Sequence, residues 1–385
     1  MKVLILGAGM MGRAIAFDLS RNSDADEIFL GEKNQQIRKS AARFLKTTAT
    51  QLISLDVEKN NIIKDQFRKV DVVISAVPYH YNLRLATMAI QSHAHFIDLG
   101  GNNDIVQNQR KLFSKAKKAN VIVIPDSGLA PGLVSVLTRD IVDHLKDIDF
   151  VKLRVGGVPQ NPQPPLNYQI VFSPYGLINE YVEDALILSH GKILKKKSLT
   201  ERETITFPPP FGRMEAFLTS GGCSTLPMTY QQKIGYLDYK TIRYPGHCEI
   251  IKALLDLGFA SERKLNCGTQ RITPRDVFAQ LLKTHVPKTG KDVVLLKVVS
   301  EGLKNGKTTK REYVIIDYYD TVHDISAMMR TTGYPVAITA QMILDGTLTT
   351  TGVYCPEEIL PPAPFFSHLK KRGITLKILE RSVPS

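Results

Sequence analysis

Residues 3–12 read Val-Leu-Ile-Leu-Gly-Ala-Gly-Met-Met-Gly, and no other stretch limits the fold of this chain so tightly. Val3 to Leu6 have the continuous apolar character of a buried strand, and Ala14, Ile15, Phe17 and Leu19 line the apolar face of a following helix. Between them Gly7, Gly9 and Gly12 form G-x-G-x-x-G, with Met10 and Met11 at the variable places. A strand, this glycine spacing and a helix are the context of a dinucleotide-binding turn. Gly7 allows the tight turn. Gly9 lets backbone approach a pyrophosphate at the helix N-terminus, where free N–H groups favour anions, and Gly12 lets helix and strand pack closely. Glu27 to Leu30 read as the next strand, and Glu32 lies twenty residues after Gly12. An acid there accepts both ribose hydroxyls and repels a 2′-phosphate, so NAD is expected. The adjacent Lys33 softens that preference and leaves NADP open.

The same rhythm continues. Leu52 to Leu55, ending at Asp56, Asp71 to Ala76, His95 to Leu99 and Val121 to Ile124 read as further strands, with helices over about 81–91 and 104–118 between them. Strands alternating with helices predict an α/β fold, an N-terminal Rossmann doubly wound parallel sheet. Ligands of such sheets bind beyond the carboxyl ends of the strands. Asp56, Ala76, Pro78, Tyr79, Gly100 and Asp126 fall at those ends and join the glycine turn and Glu32 as candidate site residues.

The pattern changes near residue 130. Ala130-Pro131-Gly132 opens a helix to about His144, and strand-like stretches follow at 150–155, 203–207, 214–218, 293–300 and 312–318. The last two read as a hairpin turned by the intervening Lys-Asn-Gly-Lys-Thr-Thr-Lys. Helices are expected near 174–182, 249–257, 274–282 and 335–344. The expected organisation is a Rossmann domain over 1–128 and an α+β substrate-binding and dimerisation domain with a mostly antiparallel sheet over 129–324. Helices over 325–385 are expected to return to the first domain.

At 385 residues the chain is long enough for two domains. Its four cysteines are scattered, without zinc spacing, so no metal is expected and a reducing cytoplasm fits. No apolar run reaches the roughly 20 residues of a membrane helix. The net charge of +13 invites a nucleic-acid partner, yet no recognition helix, zinc finger or aromatic RNA-binding pattern accompanies it. The dense cluster Lys192 to Lys197 reads as a solvated loop, and excess positive charge suits an anionic cofactor and a carboxylate substrate.

Three segments of the second domain carry candidate chemistry. Thr219-Ser-Gly-Gly-Cys-Ser-Thr225 is rich in hydroxyls and exposed N–H groups, which suits gripping a carboxylate and equally suits an ordinary turn. Thr219, Ser220, Ser224 and Thr225 are its polar members. Arg243 offers a fork that matches a carboxylate in two parallel hydrogen bonds; pairing with a structural acid is the plainer reading. His247, after Pro245-Gly246, is a base or a satisfied structural histidine, and Asp126 a helix cap or a partner for a substrate amine.

Taken together these motifs resemble the saccharopine dehydrogenase/reductase family, and within it the lysine 6-dehydrogenase group. Its carriers span the chain: the opening glycine turn, Asp98-Leu-Gly-Gly101, Pro125-Asp-Ser-Gly-Leu-Ala-Pro-Gly132, Val155-Gly-Gly-Val-Pro159, Pro164-Pro-Leu-Asn-Tyr168, Glu215-Ala-Phe-Leu-Thr-Ser-Gly-Gly222 and Tyr239-Lys-Thr-Ile-Arg-Tyr-Pro-Gly-His247. The resemblance implies a homodimer or higher homo-oligomer and a small amino-acid substrate. Pro78 and Tyr79 would lie beside the nicotinamide. Asp126, Tyr168, Thr219 to Thr225, Arg243 and His247 would line the substrate cleft, with Asp126, Tyr168 and His247 as catalytic candidates. It further implies oxidative deamination of L-lysine at C6 to the semialdehyde or piperideine-6-carboxylate. Oxidation of saccharopine or of a carboxynorspermidine-type secondary amine is the neighbouring chemistry, for which Arg154 and Arg213 are spare arginines. A non-catalytic nucleotide-binding protein is the alternative of another class.

Overall fold

The computed structural model describes residues 1–288 and 290–383. They form two compact units. One comprises Met1–Asp143, Ser224–Leu226 and Met329–Leu376; the other comprises His144–Cys223, Pro227–Met328 and the chain from Lys377 onward.

The first unit is built on β1 (Lys2–Leu6), β2 (Glu27–Glu32), β3 (Gln51–Ser54), β4 (Val72–Ser75), β5 (His95–Asp98) and β6 (Ile122–Ile124). They pair in parallel in the order β6-β5-β4-β1-β2-β3. A seventh strand, Gly352–Val353, joins parallel to β6; at two residues it is too short to show a sequence period. Val3–Leu6, Val72–Ile74 and Ile122–Ile124 are all buried, as a sheet covered on both faces requires. The strand order turns back between β4 and β1, beside the glycine turn. Gly12 lies in helix Met10–Asn22, where a Cβ would come within 1.8 Å of the Gly7 carbonyl oxygen, so glycine is required there.

Two helical expectations need correction. The helix expected over 104–118 is two, Asn103–Arg110 and Phe113–Lys118. The helix expected to start at Pro335 runs from Ala327 to Leu344, with Pro335 inside it. Its start is set by Asp292, whose carboxylate accepts the N–H groups of Ala327 at 2.7 Å and Met328 at 2.9 Å. That cap is 35 residues away along the chain and leaves no local signal. From Met329 on, the helix belongs to the first unit, and Gly333 presses its backbone against Ala14. Arg372, further on, donates from Nε to both oxygens of Asp18 at 2.9 and 2.8 Å, both side chains buried.

The second unit contains β7 (Lys146–Pro159), β8 (Ala185–Ser189), β9 (Lys192–Lys196), β10 (Glu203–Thr206), β11 (Arg213–Leu218), β12 (Ile234–Arg243), β13 (Leu265–Cys267), β14 (Gln270–Ile272), β15 (Asp292–Lys304) and β16 (Lys307–Tyr318). The path β10-β11-β12-β7-β15-β16 is antiparallel except for the parallel pair β12–β7. Helices Pro174–Val182, His247–Asp256 and Pro274–His285 send Leu177, Ile251 and Phe278 into one cluster with Phe217 of β11. The hairpin turn is tighter than expected: Asn305-Gly306, both at positive φ, connect the strands directly. Lys192–Lys196 is no loop but strand β9, paired among the described residues with β8 alone; lysines suit such an edge because they discourage further strand addition. The final strand, Lys377–Ser382, pairs antiparallel with β16 and so belongs to this unit, not to the Rossmann unit. No helix among the described residues is long and apolar enough to cross a membrane.

Candidate active site

In the first unit the glycine turn is shaped by close backbone contacts. Gly7 has φ +93°, and a Cβ on it would strike the Ala76 carbonyl oxygen at 2.8 Å. Gly9 is different: a Cβ built there meets nothing within 4 Å. The space above Gly9 is open, and no side chain caps helix Met10–Asn22, so its first-turn N–H groups are available to an anion. Glu32 ends β2 with its carboxylate held by the N–H groups of Ala8 at 3.2 Å and Asn34 at 2.9 Å. That ties the acid to the turn itself. Asp56 follows β3 near Lys33 Nζ at 3.8 Å, Ala76 follows β4, and Pro78 starts the short turn Tyr79–Tyr81. Gly101 lies against the Tyr79 ring. These residues and Gly100 share the carboxyl edge of one sheet and fit a dinucleotide.

Asp126 follows β6 on that edge with φ +61° and 1% exposure. It accepts a hydrogen bond from Ser224, itself at positive φ. Its carboxyl packs on Gly100, where any Cβ would overlap it. Burial raises the Asp126 carboxyl to about 8, with Asp98 and Glu357 adding to the rise and Ser224 opposing it. Asp98, equally buried, is raised to about 6 by burial against donors from Gln109, Gly100 and Asp126. Both residues hold a positive φ while buried, a conformation kept in place by their surroundings.

In the second unit β12 ends at Arg243, 3% exposed. Its guanidinium lies over the Tyr168 ring at 4.7 Å, donates to the Tyr181 hydroxyl at 3.3 Å and to the Ile242 carbonyl at 2.9 Å. Among the described residues no carboxylate forms an ion pair with it. Tyr168, whose hydroxyl is pushed up by burial, also lines a cavity of about 270 Å³ with Asn161, Gln163 and Lys291. His247 begins helix His247–Asp256 with both ring nitrogens engaged: Nδ1 with the Leu166 carbonyl at 3.0 Å and Nε2 with the Tyr181 hydroxyl at 3.0 Å. Burial, then Arg243, lowers its pKa to about 3, so the ring is neutral. With both nitrogens engaged, the ring holds the Tyr181 hydroxyl in place. Sequence reasoning missed Glu180, which neighbours Tyr181 on helix Pro174–Val182 and lies within electrostatic reach of Arg243. No sequence signal marked it, because a lone glutamate on an amphipathic helix resembles any solvated one.

The hydroxyl segment does not form a single grip. Thr219 bonds Thr241 at 2.7 Å and Ser220 approaches Glu183 at 3.4 Å within the second unit. Ser224 and Thr225 belong to the first, bonded to Asp126 and, at 2.6 Å, to Glu357. Arg154 is not spare: it forms two bonds with Asp238 at 2.7 and 3.0 Å and pairs with Glu203. Arg213 heads β11 at the surface. Among the described residues no group of three or more His, Cys, Asp or Glu side chains is placed to hold a metal.

Residues 3–124 match the model of the saccharopine dehydrogenase NADP binding domain, and residues 128–374 that of the saccharopine dehydrogenase C-terminal domain. The saccharopine dehydrogenase [NADP(+), L-glutamate-forming] of Saccharomyces cerevisiae is 23% identical over 97% of this chain and 98% of its own length. The mitochondrial alpha-aminoadipic semialdehyde synthase of Rattus norvegicus is 21% identical over 97% of this chain, which spans 47% of that protein. The apo structure of saccharopine dehydrogenase (L-Glu forming) from Saccharomyces cerevisiae shares the fold, with a TM-score of 0.81 over 100% of both chains at 21% identity. With both of its parts matched in order, this chain belongs to the saccharopine dehydrogenase family, a family of nicotinamide-dinucleotide oxidoreductases of amino acids.

Proposed function

We propose that this protein oxidises L-lysine at C6, with NAD as its preferred dinucleotide. The observation that carries the reading is Arg243, a buried cation that forms no ion pair with a carboxylate among the described residues, Glu180 acting on it only without contact. Leaving such a charge unpaired costs several kcal/mol, and a ligand carboxylate offsets that cost with two parallel bonds. One such clamp suits an amino acid with a single carboxylate. Saccharopine carries several, and the pairing of Arg154 with Asp238 and Glu203 removes the obvious second clamp.

The glycine turn would hold the pyrophosphate, and Glu32 the adenosine ribose, where its charge disfavours a 2′-phosphate. When bound, the dinucleotide supplies the hydride acceptor. The substrate nitrogen must be neutral before its lone pair can expel hydride, and an amine of pKa about 10.4 holds its proton at neutral pH. Asp126 is assigned the proton: a carboxyl raised to about 8 is nearer the amine's own affinity than an ordinary aspartate. His247 is not assigned it, since both its nitrogens are engaged and its ring is hard to protonate. Tyr168 acts as the platform that fixes the Arg243 fork. Loss of hydride would leave an iminium, which water converts to the semialdehyde and ammonium; the α-amine then condenses with the aldehyde, expelling water, to close the piperideine ring.

Oxidation of saccharopine is the second reading, favoured by the nearly end-to-end likeness to the yeast enzyme. One assay decides. The protein is mixed with NAD or NADP and with lysine, ornithine or saccharopine in turn, and nicotinamide reduction is followed by absorbance. Turnover of lysine with NAD is expected. Turnover of saccharopine alone overturns the first reading.

A further inference from the structure

We propose that Ser224 is a positioning residue for Asp126: its hydroxyl holds the carboxylate in one orientation and favours the ionised form. The kinetic consequence rests on the reading of Asp126 as the proton acceptor; the structural role does not.

Ser224 and Asp126 are 98 residues apart in the chain and meet inside the first unit, to which Ser224–Leu226 belong. The Ser224 hydroxyl donates to Asp126 Oδ2. On the other side Oδ1 lies against Gly100, where a Cβ would come within 1.7 Å of it. The Asp126 N–H donates to Asp98 Oδ1 at 3.3 Å, and Asp98 is itself gripped by Gly100 N–H at 2.7 Å and Gln109 Nε2 at 2.6 Å. The carboxyl is thus bounded on both sides, and its main chain is tied to β5. Ser224 is seated as firmly. It is buried, and the next residue, Thr225, donates to Glu357 Oε1 at 2.6 Å. Ser224 holds φ +42°, a region that glycine enters without the cost a Cβ brings. What serine adds at this position is its hydroxyl, and the hydroxyl goes to Asp126.

The charges around Asp126 give that bond its effect. The ionisable groups facing it are Asp98 from β5 and Glu357 and Cys355 from residues 355–357. All are acids, and among the described residues no cation forms an ion pair with Asp126. Burial favours the protonated carboxyl, Asp98 and Glu357 add to that, and the Ser224 hydroxyl opposes them, because a carboxylate accepts its proton more strongly than a carboxylic acid does. Without that donor Asp126 is harder to ionise.

Ser224→Gly tests this, since it removes the hydroxyl and suits the positive φ. The full chain is labelled with ¹³C at aspartate carboxyls and titrated by NMR, the Asp126 resonance being the one that disappears in Asp126→Asn. In Ser224→Gly the Asp126 midpoint is expected to rise by at least about half a pH unit, and the kcat/KM limb for lysine to rise with it. An unmoved or lowered midpoint overturns the proposal. A raised midpoint with an unmoved limb supports the role of Ser224 and removes Asp126 from proton transfer, so the two readings fail separately. If lysine is not turned over, the NMR titration still decides. Should the variant fold poorly, the unaltered protein answers: above the Asp126 midpoint, exchanging hydrogen for deuterium must shift the Asp126 carboxyl resonance through the bonded hydroxyl. Absence of that isotope shift overturns the proposal as well.

Discussion

Arg243 and Asp126 bear the sharpest consequences for single residues. Replacing Arg243 with Lys keeps the charge and removes the fork. The KM for lysine is expected to rise at least about 30-fold, close to 2 kcal/mol, with kcat changed far less. Unchanged steady-state kinetics would take Arg243 out of the site. Asp126 predicts a pH profile. Its carboxyl accepts a proton only when ionised, so kcat/KM for lysine should climb about tenfold per pH unit up to about 8 and then level. Asp126→Asn should abolish that limb. The same carboxyl affects stability with a definite sign. Its folded pKa lies above its unfolded value, so the folded state holds the proton more tightly. Stability is therefore fullest at low pH and declines as pH rises from the ordinary carboxylate range to about 8. Asp98 and Asp18, each raised to about 6 chiefly by burial, add slope in the same direction at lower pH. Thermal melts of the Asn variant between pH 5 and 8 should show a flatter dependence than the unaltered protein.

At the scale of elements, the opening turn separates structural from ligand-facing glycines. A Cβ at Gly12 meets the Gly7 carbonyl oxygen, whereas a Cβ at Gly9 meets open space. Gly12→Ala is expected to lower the melting temperature sharply, because helix and strand must part. Gly9→Ala should melt like the unaltered protein and lose at least tenfold in dinucleotide affinity, measured by nicotinamide fluorescence. Equal affinity in that variant would remove the pyrophosphate from the turn. The alternation of strand and helix over the first 124 residues was legible because buried strands and amphipathic helices carry short-range periods. Helix Ala327–Leu344 was misplaced for the opposite reason: its cap, Asp292, is supplied by β15. The lysines of β9 looked like loop because composition, without a partner strand, resembles a solvated turn.

The chain passes between the two units several times, so neither unit is one continuous segment. The Rossmann unit needs residues 329–376, with Arg372 paired to buried Asp18 and Gly333 seated on Ala14. Arg372→Met leaves the Asp18 carboxylate buried and unpaired, and should cost about 3–5 kcal/mol in denaturant unfolding. What the residue order by itself determined was the parallel α/β start, its glycine turn, the acid at Glu32 and the presence of a second, strand-rich region. Each of these is encoded within a window of about twenty residues, where period and glycine placement act directly. Only tertiary structure decided that Ser224 bonds Asp126, that the last strand joins β16, that Arg154 is already paired, and that Arg243 lies over Tyr168 with no carboxylate ion pair among the described residues. Those outcomes depend on side chains meeting across long stretches of chain, and a charge acquires its role from what surrounds it once water has been excluded.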